Sequence, residues 1–480
     1  MRSQVITTGV LATILACGWG GAQAFPRIEQ GLSLTRTKEA YQAVIHYAVA
    51  DEPAVVTIDV LTNGVSAGAT ARLCVTGDVN RLVQPGPHAA VLMTTGALAS
   101  VADKDVSVSL RAWATNCPPD YLVISLTNKN EAARYYLTAD DVPDGVTHER
   151  YKKSHLVMRK IPAANVEWRM GSPTMEIGRS GRLGGGNGTS YENYETPHYV
   201  RLTEDFYIGI YPVTYRQHVN AVGSFSYGMW GNSAYADYRT DDMPLAPTQF
   251  VSLRSWMHDN ERGCDANCSA TIKYWPRNGH EIDNKDTRKC DKTAYPGNYT
   301  PYLRSWRDNI GFEFDLPTDA QWEFACRAGT GGRTYTSDEE RTREAEMPSN
   351  LDDIAWTVAN SSNATHNCAL THPVGLKRPN AFGLYDMIGN VWEFCLDRQT
   401  AFTGAAEEAV VNPDGGDFVN DRRANRIVRG GSCNSDIRCC RSAMRGRVTP
   451  AGLNEYPYAV DSTLQWTVGY RLWLPSHAVR

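Results

Sequence analysis

Between residues 25 and 150, apolar and polar positions alternate in short runs: "AYQAVIHYAV", "AVVTIDVLTNG", "VSVSLRAWAT", "DYLVISLTN" and "RYYLTA". A two-residue period puts every second side chain on one face, the pattern of a half-buried strand. β-Branched and aromatic residues dominate the runs, and "TNG" and "NCPPD" supply turns between them. Regular short strands with no strong helical segment predict an all-β sandwich of immunoglobulin or fibronectin type over 25–150. Cys74 and Cys117 are candidates to bridge its sheets. The polar, Pro- and Gly-containing stretch "ADDVPDGVTHERYKKSHLVMRKIPAANV" breaks the rhythm and reads as a linker.

A second domain is expected over 157–478, with few periodic segments. Its clearest element is "PTDAQWEFACRAG": Thr318 is a good N-cap, Gln321 three residues on completes a capping box, and Gly329 is placed to stop the helix. "GRLGGGNGTSYENYETPH" lacks the Gly-Lys-Ser/Thr ending of a phosphate loop and reads as surface. The stretch 253–305 reads as an insertion pinned by disulfides among Cys264, Cys268 and Cys290; a zinc site there needs a fourth ligand, for which His280 is the nearby candidate.

At 480 residues the chain is long for one domain. Its 42% hydrophobic and 21% charged content is ordinary for globular proteins. A net charge of −5 carries no basic footprint, which argues against nucleic acid as a partner. The first residues pair Arg2 with an apolar run from Val5 and then Ala22-Gln23-Ala24, so 1–24 reads as a secretory signal peptide; lipid attachment at Cys17 is the alternative. No later stretch approaches the roughly 18 apolar residues of a membrane span. The expected location is therefore periplasmic or extracellular. Cleavage removes Cys17 from a total of 12 cysteines and leaves an odd number in a compartment that favours disulfides.

Five stretches occur in order: "ETPHYVRLTEDFYIGIYPVTYRQH", "LPTDAQWEFACRAGT", "THPVGLKRPNAFGLYDMIGNVWEFCLD", "RIVRGGS" and "VGYRLWLP". Together they resemble the formylglycine-generating enzyme, or sulfatase-modifying factor, family. The resemblance implies an irregular α+β fold related to C-type lectins behind the sandwich. It also implies an activity, copper- and dioxygen-dependent oxidation of a sulfatase cysteine, within a Cys-x-Pro-x-Arg segment, to formylglycine. A calcium ion is implied at the positions of Asp386, Gly389, Val391 and Glu393, with carboxylates from the first and last and carbonyls from the other two; a hard cation suits such an oxygen cage. The alternative is that Glu393 pairs with an arginine and Asp386 caps a turn. Trp392 falls beside the implied active site, with core packing as its other role.

In the oxidising members two cysteines follow the Arg-Gly-Gly-Ser serine at three and eight positions, a thiolate pair suited to copper(I). Here Ser432 matches that serine, Ser435 stands three positions on and Cys440 eight. A register with about three residues deleted removes Cys440 from the second position as well. Three arrangements remain for this stretch. Cys439 or Cys440 bridges another cysteine such as Cys326; or one of the two stays free and is activated by Arg438 and Arg441; or Cys433 and Cys440 form a variant copper site. Arg429, Arg441, Arg445 and Arg471 read either as buried ion pairs or as a pocket for an anionic substrate. The function expected from the resemblance is sulfatase maturation, with Cys440, Ser432 and Trp392 at the site and a sulfatase polypeptide as partner. The rival is a non-catalytic lectin-like module for an extracellular glycan or protein. An iron-dependent sulfoxide synthase is a third reading, for which no helical domain with clustered histidines is in view.

Overall fold

The structure, a computed structural model, describes residues 26–37, 42–93, 106–174, 176, 179, 195–223, 246–247, 302–336, 351–363, 368–398, 408–413, 426–448 and 467–477. The expected signal peptide with Cys17, most of the glycine-rich stretch, and residues 253–301 of the expected insertion, with Cys264, Cys268, His280 and Cys290, lie outside the described residues. The chain divides into two compact units, one made of 1–151, 155–160 and 475–480, the other of 152–154 and 161–474.

The first unit contains β1 (Arg27–Thr37), β2 (Gln42–Ala50), β3 (Ala54–Thr62), β4 (Val65–Ser66), helix α1 (Ala69–Arg72), β5 (Val75–Gly77), β6 (Arg81–Val83), β7 (Gly86–Met93) and β8 (Val106–Ala114). One sheet runs β1-β2-β7-β5; the other runs β4-β3-β6 with β8 also paired to β3. Alternation does the work here. Ile45, Tyr47 and Val49 of β2 and Val106, Val108 and Leu110 of β8 point into a single apolar cluster shared by both sheets. Thr57 sits on the other face of β3 and accepts the Trp113 indole N–H at 2.8 Å. Asp59 and Asp141 both hold Arg72, at 3.1 and 2.6 Å.

Two expectations for this region are corrected. Cys74 does not bridge to Cys117: its thiol is reduced and donates to the Thr70 carbonyl at 3.4 Å. The expected linker contains a strand. After β9 (Tyr121–Ser125) and β10 (Arg134–Tyr136), β11 (His155–Ile161) pairs antiparallel with β9, His155 opposite Ser125 and Arg159 opposite Tyr121. Its "HLVMRKI" is buried at all but two positions, so charged residues mask a strand that has few exposed positions to alternate with.

The second unit is held by small sheets and short helices. Its elements are β12 (Val166–Met170), β13 (His198–Leu202), β14 (Phe206–Gly209), α2 (Tyr215–Val222), α3 (Tyr302–Ile310), α4 (Asp319–Arg327), α5 (Leu351–Ile354), β15 (Ser362–Asn363), β16 (Cys368–Ala369), β17 (Trp392–Arg398), β18 (Val410–Val411), β19 (Arg426–Arg429), β20 (Arg445–Val448), β21 (Val468–Gly469) and β22 (Trp473–Pro475). The sheet that organises the site runs β20-β19-β17-β21. Helix α4 carries the expected capping box: Thr318 Oγ1 accepts from Gln321 N at 3.2 Å, and Thr318 N donates to Gln321 Oε1 at 3.0 Å. Its left-handed stop is Ala328 rather than Gly329. No helix among the described residues is long and apolar enough to cross a membrane.

The shared core of the first unit sets a contrast. Leu110→Ala, at 1% exposure, is expected to cost about 2–5 kcal/mol in urea unfolding, while Val65→Ala, at 68%, changes stability by about 0.5 kcal/mol or less.

Candidate functional site

Strands β17 and β19 bring Glu393 opposite Arg429. Arg429 is wholly buried, and a buried guanidinium needs acceptors for its fork of donors. Helix α4 provides them one turn apart: Asp319 accepts from Arg429 Nε, and Glu323 Oε2 accepts from Nη2 at 2.9 Å. Arg445 of β20 reaches the other Asp319 oxygen at 2.8 Å. Burial alone would raise the Asp319 carboxyl; Arg429 and Arg445 outweigh it and hold its pKa below the ordinary range.

Two more buried arginines extend the scheme. Arg441 meets Glu176 at 2.6 Å and Glu195 at 2.8 and 2.9 Å. Arg471 binds Glu393 through Nη2 at 2.8 Å and through Nε at 3.0 Å, while Trp322 donates its indole N–H to the same carboxylate at 2.7 Å. The arginines therefore hold the irregular backbone together, the ion-pair reading rather than the anion pocket.

Beyond Arg429 the chain turns through Gly430 and Gly431, at φ of +93° and +78°. Space demands glycine as much as the dihedral does: a Cβ would meet Met387 O at 2.8 Å from Gly430 and Cys440 Sγ at 2.9 Å from Gly431. Ser432 and Ser435 then close a tight turn. Ser435 N donates to Ser432 O at 2.9 Å, Ser435 Oγ accepts from Ser432 N at 2.9 Å, and the two hydroxyls lie 3.0 Å apart.

The cysteines correct two of the three sequence-derived arrangements. Cys326, Cys439 and Cys440 are reduced thiols. Cys326 faces Ser442 Oγ at 3.7 Å, and Cys440 lies against Gly431, so neither is turned toward the expected bridge. Nor is either of the adjacent pair activated. Burial pushes Cys439 up to about 12, more than Arg441 and Arg438 lower it. Cys440, wholly buried, is likewise raised well above its usual range, by burial and by its neighbour Cys439. Cys433 is also fully buried, its N–H donating to Asn390 O at 2.9 Å. A soft copper(I) centre needs accessible thiolates. Three buried thiols, of which Cys439 and Cys440 are raised, do not fit one, and the Ser435 hydroxyl is committed to its turn.

The implied calcium ligands are also engaged. Both Glu393 oxygens face the Arg471 guanidinium, which would repel a divalent cation placed there. Asp386 accepts from Gly375 N at 2.7 Å and from Asn390 Nδ2 at 3.3 Å, the turn-capping arrangement. Gly389 packs its backbone on Trp356, with Val391 buried next to Trp392. This set does not fit calcium. Trp392, 8% exposed, lies against Gly446, where a Cβ would come within 2.8 Å of its ring.

Asn390, between the named positions Gly389 and Val391, is the residue that sequence reasoning missed. It is fully buried with φ of +63°, a conformation asparagine tolerates. Its amide accepts from His372 N at 3.1 Å and donates to His372 O at 3.0 Å; its own N–H reaches Trp356 O at 2.9 Å. With the Cys433 contact, it ties three separate segments together. Its signal was position alone, an Asn after Gly in "MIGNVW".

The family model described as sulfatase-modifying factor enzyme 1-like domain matches residues 170–456. The chain belongs to the sulfatase-modifying factor family. Among relatives, it is 34% identical to the formylglycine-generating enzyme of Streptomyces coelicolor over 148 residues, 30% of this chain and 45% of that one. The bovine enzyme is 30% identical over 153 residues, 30% of this chain and 39% of the other. The chain thus spans less than half the length of either. A chaperone protein, LppX, of Paenibacillus barcinonensis is 27% identical over 226 residues, 45% of this chain and 69% of that one. Among solved structures, Treponema denticola variable protein 1 aligns with a TM-score of 0.40 at 18% identity, over 67% of this chain and 95% of that one.

Two tests follow from the site. Iodoacetamide at pH 8 should leave Cys326, Cys439 and Cys440 unlabelled in the folded protein and label them in denaturant, as read by peptide mapping. Arg441→Met strands Glu176 and Glu195 and should cost about 3–5 kcal/mol at pH 7. Burial raises Glu195, but Arg441 and Ser172 lower it further, so its folded pKa lies below its unfolded one. Its stabilisation is present above the unfolded carboxylate pKa of about 4 and is lost as pH falls through the folded value. Melting curves across pH 2–7 should show a shallower acid limb for the variant.

Proposed function

We propose that this member of the family binds an exported polypeptide and does not oxidise one. One observation carries the reading. Where the resemblance implies the first copper thiolate stands Ser435, whose hydroxyl closes the turn with Ser432, while Cys439 and Cys440 are buried and reduced. Without two accessible sulfurs there is no soft site to take a substrate thiol as a third ligand. The relative named as a chaperone, 69% of whose length is covered, supports a polypeptide ligand over a glycan. In this reading the two N-terminal sheets serve as an immunoglobulin- or fibronectin-like spacer, and the protein works in the periplasm or outside the cell.

The test is turnover by the mature protein, supplied with copper(I) in air and a peptide containing Cys-Pro-Ser-Arg. Mass spectrometry should find the peptide thiol unchanged, with Cys440→Ala indistinguishable. Loss of sulfur to the aldehyde, abolished by Cys440→Ala, would restore sulfatase maturation as the function.

A further inference from the structure

Close to the Ser432–Ser435 turn lies a cluster that neither the ion pairs nor the thiols use. Val358 N donates to Ser435 O at 3.2 Å, and Trp356 stands two residues before it. The Trp356 ring stacks on His372 with centroids 3.7 Å apart and planes 16° apart. The Lys377 ammonium lies 3.8 Å from the same ring centroid. Two flat groups that close fill one face, so the cation takes the other.

What this arrangement leaves over is polar. Trp356 Nε1 and His372 Nε2 are buried without a hydrogen-bond partner among the described residues. A buried indole N–H left unpaired costs free energy, and such atoms in a folded protein call for an explanation. Lys377 brings a positive charge to the rings. Burial first, then that charge, lowers the imidazole pKa to about 4. Asp352 has its side chain held by Asn360 at 3.0 Å and offers Lys377 its backbone carbonyl. Asn390 fixes His372 and Trp356 from below, while Lys377 follows Leu376, which is 59% exposed. The rings are rigidly placed, and a flexible four-carbon stem covers them at the surface.

We propose that Trp356, His372 and Lys377 form a binding site for an oxyanion, a carboxylate or a sulfate group, on the ligand. The oxyanion sits at the ring edge, where it accepts from the Trp356 N–H in the ring plane and pairs with the Lys377 ammonium held over the ring face. The inference rests on the binding reading above and supplies its anchor: an acidic group of the bound polypeptide, or a sulfate ester carried by it.

The experiment follows the Trp356 indole N–H signal by NMR in the full-length mature protein, assigned through bonds without mutation. Sodium sulfate and sodium acetate are titrated separately, with sodium chloride at matched ionic strength. A saturable shift with one or both salts, beyond that of chloride, is the expected result. Response to acetate alone points to carboxylates, to sulfate alone to sulfate esters. Lys377→Met, which replaces a surface group with one of similar length, should weaken the apparent affinity by about tenfold or more, the scale of a charge-assisted hydrogen bond. An indole signal that moves no more than in chloride, or moves equally in Lys377→Met, overturns the site. Peptide turnover would overturn the binding reading without touching this readout, so the two failures are distinguishable.

Discussion

The second unit depends on the Arg429 guanidinium, set out of water between Asp319 and Glu323 of one helix face. Removing an arginine and two carboxylates from water costs several kcal/mol per ion, and only complete pairing recovers it. Complete pairing is what the surroundings provide. Asp319 takes a second arginine, Arg445, and Glu323 takes Arg327 at 2.8 Å and Gly171 N at 2.9 Å. A domain with so little regular secondary structure satisfies much of its buried backbone through such groups. Arg327 donates to the Gly171 and Gly332 carbonyls, and Arg471 to those of Gly209 and Tyr385.

That scaffold explains why the site does not behave as a thiol centre. The Arg429 anchor delivers Gly430 and Gly431 into a space with no room for a side chain, and the turn after them is closed by serine hydroxyls. The cysteines end beneath this turn. Desolvation there exceeds the help of neighbouring arginines, so a sequence context that suggests activation gives the opposite ionisation.

The readable and unreadable parts of the chain divide along physical lines. Strands β2, β3 and β8 and the Thr318–Gln321 box were legible because their signals are local: a two-residue period and a cap three residues long. Strand β11 was hidden because burial on both faces removes alternation. The family was legible from ordered motifs, and the ion-pairing role of the arginines from their chemistry. Partners and distances were not: Asn390 joins segments whose proximity exists only after folding. The expected bridges to Cys326 and between Cys74 and Cys117 came from the redox habit of the compartment that the N-terminal sequence suggests, which says nothing about which way a thiol points.

The reach of the ion pairs has a consequence for how the unit is made. Arg441 and Glu195 are 246 residues apart in the chain, Arg441 and Glu176 are 265, and Arg429 and Asp319 are 110. None can form until most of the unit has been synthesised, and each closes a long loop whose entropy is lost before the contact repays it. Until then these charges keep water and resist burial. The two arginines and their acids can therefore leave water together only once both ends of these long loops are present.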